Sequence, residues 1–124
     1  MNAFNMAQTA YSNSAAPTRT LRGTEYDAFA RITHRMKTYS ADISNFAAFA
    51  AALHENIKLW TILAADVSDK DNTLPDELRS RIFYLYEFTA QHTSKILRKD
   101  ASVDVLVDIN TAIMRGLRSQ AGAL

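Results

Sequence analysis

Cysteine is absent from this 124-residue chain, which excludes disulfides and thiolate chemistry and fits a reducing compartment. Glycine occurs only at Gly23, Gly116 and Gly122, and proline only at Pro17 and Pro75. Long stretches therefore carry no helix breaker, and helices are favoured over strands and their turns. An excess of one charge sign is missing as well. The formal net charge is +1 with acids and bases interspersed, so no long-range field draws the chain to nucleic acid or to an anionic membrane. The longest uncharged apolar run, residues 46–53, is far short of the ~20 residues a helix needs to cross a bilayer. Residues 1–14 lack the basic and continuously apolar regions of a secretory signal. These absences place the expected site of action in the cytoplasm.

What remains is helical periodicity over the length of one domain. Residues 1–11, with Ala3, Ala7, Ala10 and Tyr11 at helical spacing, read as a short arm, and 12–17 as a polar linker. The bundle proper is expected over 18–124. Its first helix is predicted over about 24–39, with Thr24 and Asp27 forming a cap and Thr18 as an alternative start. Tyr26, Phe29, Ile32, Met36 and Tyr39 share one side of it, and Arg31, Arg35 and Thr38 the other. The next helix begins near Asp42 or Ser44 and carries Phe46, Phe49, Ala50, Leu53, Ile57, Trp60, Ala64 and Val67 along one stripe. It stops in the turn-forming stretch with Asp69, Asp71 and Asn72. Pro75 then opens a helix over 75–99, which starts with Asp76 and Glu77 and ends with Lys95, Arg98 and Lys99, the charge order that suits the helix dipole. A last helix over 102–119 has Ser102 as its cap and Val103, Leu106, Val107, Ile109, Ile113, Met114 and Leu117 on its apolar arc. Short connections favour antiparallel neighbours, so the expected architecture is an all-α, antiparallel four-helix bundle with an N-terminal helical arm.

Motifs for catalysis are lacking. His34, His54 and His92 have no second ligand at a metal-binding spacing, and His92 reads as a hydrogen-bonded core histidine. Asp69, Asp71 and Thr73 imitate the start of a calcium loop, but Leu74 stands where glycine is required. No glycine-rich phosphate cradle or nucleophile elbow occurs, and the apolar stripes of the last three helices contain no Asp or Glu. The chain is therefore expected to act by binding, without enzymatic activity, metal or cofactor.

The 75–99 helix has more apolar surface than one stripe requires. Phe83, Tyr86 and Leu97 lie on one flank and form the candidate floor of a groove for an amphipathic helix. Asn110 falls inside the apolar arc of the last helix, where an unpaired amide costs about 1–3 kcal/mol. Pairing to a neighbouring backbone is the preferred account, with contact to a bound protein as the alternative. Gly116 is read as a point of close packing or of fraying. Arg19, Arg22, Arg31, Arg35 and Lys37, near Tyr26 and Tyr39, make RNA binding the alternative function, although Glu25 and Asp27 dilute the charge.

The segment 108–117, Asp108-Ile109-Asn110-Thr111-Ala112-Ile113-Met114-Arg115-Gly116-Leu117, resembles the C-terminal signature of FlaF flagellar proteins. Met1-Asn2-Ala3, Ala10-Tyr11, Arg22-Gly23-Thr24-Glu25-Tyr26 and Leu59-Trp60 are similar to the family as well. The resemblance implies a cytoplasmic factor that binds flagellin, assists its delivery to the flagellar export machinery and takes part in control of flagellin expression. It makes Asp108, Asn110, Arg115 and Gly116 candidate partner-binding residues by position, beside Phe83, Tyr86 and Leu97.

Overall fold

Among the described residues the chain forms four long helices: α1 (Ala15–Ser40), α2 (Phe46–Ser68), α3 (Asp76–Leu97) and α4 (Asp104–Ala123), with one turn of 3-10 helix, Ile43–Asn45, ahead of α2. This computed structural model describes the backbone of residues 15–123 and the side chains of 26–42 and 44–116. The arm expected over 1–11 lies outside the described residues.

α1 starts at Ala15, earlier than either predicted start, so 15–17 are helix and not linker. The reason is local. Pro17 falls in the first turn, where its missing N–H has no partner to lose, and Gly23 costs only about 1 kcal/mol inside a helix. Thr24 is thereby an interior position and not a cap.

Two apolar clusters fix the direction of every helix. One joins Met36, Ala52, Leu53, Ile96, Val103 and Leu106, and the other joins Phe29, Trp60, Leu63, Val67 and Ile82, with Ile109, Ile113 and Met114 packed against it. Along α1 the chain meets the second cluster first; along α2 it meets the first cluster first, and the order reverses again in α3 and in α4. The bundle is therefore antiparallel at each step. α1 packs closely against α2 and α4, and α2 against α3, whereas α3 and α4 are not a closely packed pair despite following one another in sequence.

Between the clusters lies a buried polar layer of Thr33, Asn56 and Asn110, with Thr89 and Thr93 on α3. The Trp60 indole N–H donates to Asn110 Oδ1 at 2.9 Å, while Asn110 Nδ2 donates to Thr33 Oγ1 at 3.0 Å and to Asn56 Oδ1 at 2.8 Å. Trp60 meets Phe29 edge to face with ring centroids 5.5 Å apart. A donor-only indole fixes which end of the Asn110 amide accepts, and so sets the sense of the network. Asn110 is paired, as its place in an apolar arc requires, but by three side chains and not by a neighbouring backbone.

The turns use the expected residues in unexpected ways. Asp42 Oδ1 accepts from Ser44 N at 3.1 Å and from Ser44 Oγ at 2.6 Å, anchoring the turn before α2. After α2, Asp69 Oδ1 accepts from Asp71 N and Asn72 Oδ1 from Leu74 N, each bending the backbone by a side-chain turn. Arg79 then reaches back from α3, donating Nε to Val67 O at 2.8 Å and Nη2 to Asp69 O at 3.1 Å. The first satisfies a carbonyl that the end of α2 leaves open, and the second joins Asn72 N on Asp69 O. α3 ends in a Schellman turn, with Asp100 N bonded to Lys95 O and Lys99 N to Ile96 O, both at 2.9 Å. The left-handed residue there, normally glycine, is Lys99 at φ 65°. Ser102 Oγ accepts from Asp104 N at 3.1 Å and so opens α4 as expected.

Candidate partner-binding surface

α3 carries the exposed apolar surface that its composition foretold. Phe83 is 39% and Tyr84 63% exposed, and Tyr86 is half-buried. Phe83 and Tyr86 meet edge to face at 5.7 Å, one turn apart, so they form a single two-ring patch. Beside it the junction of α2 and α3 forms a shallow concavity lined by Val67, Ser68, Asp76, Arg79 and Ser80. Tyr84, the most exposed of these rings, follows Phe83 directly in sequence and so points to a different side of α3.

Leu97 is exposed as well, at 41%, yet it does not belong to that patch. It lies roughly 21 Å further along the axis at 1.5 Å per residue. Glu87, Ala90 and Ser94 occupy the same flank between Phe83 and Leu97, so the expected groove floor is interrupted. Leu97 instead shares its end of the bundle with Phe46, which is 43% exposed rather than part of the core stripe. Phe46 packs edge to face on Phe49 at 6.4 Å, and the Lys99 ammonium stands 5.8 Å above its ring. Phe46, Phe49 and Lys99 border a cleft of about 470 Å³ whose walls include Tyr39, Asp42, Val103 and Asp104. Sequence periodicity missed this cleft because it is made by two chain reversals, each unremarkable in one dimension.

The signature on α4 divides between inside and outside. Asn110 is wholly buried, which removes it from the candidate contacts and makes it a fold-holding residue. Asp108, Arg115 and Gly116 face outward, and neither Asp108 nor Arg115 forms an ion pair with another described side chain. A Cβ on Gly116 would meet nothing within 4 Å, so close packing does not explain that glycine.

The basic residues of α1 are differently placed. Glu55 on α2 is paired with Arg35 and lies 3.5 Å from Arg31 Nη1, so one carboxylate partly offsets the charge of both arginines. His92, read as a core residue, is half-buried: its Nε2–H donates to Ser102 O at 2.9 Å and its ring stacks on Phe88. That carbonyl accepts only, so Nε2 carries the proton. Among the described residues, no three His, Asp or Glu side chains converge as a metal-binding group. None of the helices is long and apolar enough to cross a membrane, among the described residues.

The geometry thus defines an all-α bundle with a polar layer at its centre and aromatic surface left uncovered on one helix. Residues 7–117 match the family described as Flagellar protein FlaF, and the chain belongs to that family of flagellar proteins. Neither the curated proteins nor the solved structures give a significant match.

Proposed function

We propose that this flagellar protein binds flagellin in the cytoplasm, acting as an export chaperone and regulator that supports flagellin synthesis, secretion and filament assembly. The observation that carries this reading is the Phe83–Tyr86 pair on α3, with Phe83 exposed and Tyr86 half-buried. Rings left in water have a free-energy cost that a docked apolar face removes, and aromatic anchors dominate such contacts. An amphipathic helix that packs only in the assembled filament supplies the complementary face, and covering it before export prevents premature association. Action by binding, without catalysis, is part of the same reading. A docked role at the export machinery is compatible with it.

The alternative, recognition of flagellin message as RNA, is the weaker reading, because Arg31 and Arg35, two of the residues it would use, share the Glu55 carboxylate. Salt separates the two. Phosphate contacts weaken steeply as ionic strength rises, whereas a ring-in-groove contact changes little.

The deciding measurement is titration of the purified chain with purified flagellin. Phe83→Ala and Tyr86→Ala are each expected to weaken binding about tenfold or more, the loss of one anchoring ring. Unchanged affinity in both variants removes the proposed surface.

A further inference from the structure

α3 is held differently from its neighbours. Its deeply buried side chains are Ile82, Thr89, Thr93 and Ile96, so half of its seam is threonine. Polar links to the rest of the protein lie near its ends, at Arg79 on the α2 terminus and at His92 on the loop before α4. Between them, among the described residues, no side-chain hydrogen bond crosses from α3 to another helix. Thr93 spends its hydroxyl on Thr89 O, within α3 itself. Asn56 Nδ2 on α2 and Thr89 Oγ1 on α3 are both enclosed and both without a partner. By contrast, α4 is tied to α1 and α2 through every polar atom of the Asn110 amide.

An unpartnered donor at the centre of an apolar seam weakens the packing that encloses it and favours any occupant able to accept from it. On either side of Asn56 the α2 residues of this seam are apolar: Leu53 shares a cluster with Ile96 of α3, and Leu63 and Val67 share one with Ile82. We propose that this face is a second docking surface, covered by α3 in the free protein and yielded to an amphipathic helix of the partner that carries a side-chain carbonyl acceptor, Asn or Gln, within its apolar stripe. The seated α3 is the template for the occupant's shape, and Asn56 Nδ2 supplies the polar selection. Arg79 then serves as the hinge end, since its bonds are made to the last turn of α2. The inference rests on flagellin being the partner, and it adds that flagellin contacts more than the outer rings.

The test combines amide hydrogen exchange on the full-length chain with flagellin titration, using the wild type and Thr89→Val. The substitution keeps the shape of the side chain and removes the unpaired hydroxyl, so it favours the closed form. Expected are faster exchange in α3 than in α2 of the free wild type and, with Thr89→Val, about tenfold slower exchange in α3 together with about tenfold weaker flagellin binding, since opening is part of the binding equilibrium. Equal protection of α2 and α3 overturns the inference and leaves the outer-ring reading intact. So does slowed exchange with unchanged affinity. If the wild type binds no flagellin at all, the proposed function fails and this inference fails with it.

Discussion

Two seams of one bundle use the same residue types to opposite effect. Where α1, α2 and α4 meet, one amide joins three helices, with Asn110 accepting from Trp60 and donating to Thr33 and Asn56. Where α2 meets α3, polar atoms are buried to the same degree and two of them are left unpaired. The difference shows that a polar residue in a core neither stabilises nor weakens by its identity. What counts is whether each donor and acceptor is used, because the penalty for burial is incurred either way.

Breaking the first seam should have the largest effect. Asn110→Ala removes three hydrogen bonds, strands the Trp60 N–H and leaves a void, and is expected to destabilise the fold by about 3 kcal/mol or more in urea unfolding. A loss below about 1 kcal/mol would mean the layer is not the tie described here. The end of α3 comes next. Arg79→Met keeps the aliphatic stem but drops the bonds to Val67 O and Asp69 O, an expected cost of about 1.5–3 kcal/mol. Hydrogen exchange would show the loss first at the α2–α3 junction.

The smallest change runs in the opposite direction. Lys99→Gly relieves the left-handed backbone at the other end of α3, worth about 1 kcal/mol, against roughly 0.5 kcal/mol for the contact over Phe46. A modest rise in thermal midpoint is expected. A fall would show that the lysine–ring contact outweighs backbone strain.

Much of this was legible along the chain, and the reasons are particular. Trp60, Leu53 and Val67 repeat at helical spacing, and such a stripe has few ways to leave water except against other stripes. Asp42, Asn72 and Ser102 marked turns because a short polar side chain reaches its own backbone wherever it sits. The start of α1 was misplaced because a capping pattern at Thr24 outweighed the plain fact that nothing before it forbids a helix. Of the candidate surface, only the adjacency of two rings is a matter of local spacing. Phe83 and Tyr86 are neighbours on one helix and so are adjacent by local geometry alone, whereas Leu97 shares their flank but lies several turns further along the axis. Asn56 and Thr33 were missed, although each sits among buried apolar neighbours, at Leu53 and Trp60 or at Phe29 and Met36. That position was the available signal.

By itself the sequence determined the number of helices in the bundle, their order and the aromatic surplus of α3, since each depends on contacts within a few turns of one chain segment. Which amide meets which indole, which threonine is left without a partner, and whether Phe46 is covered were decided only by packing. Those outcomes depend on the relative depth and rotation of helices joined by loops, quantities that periodicity along one helix does not encode.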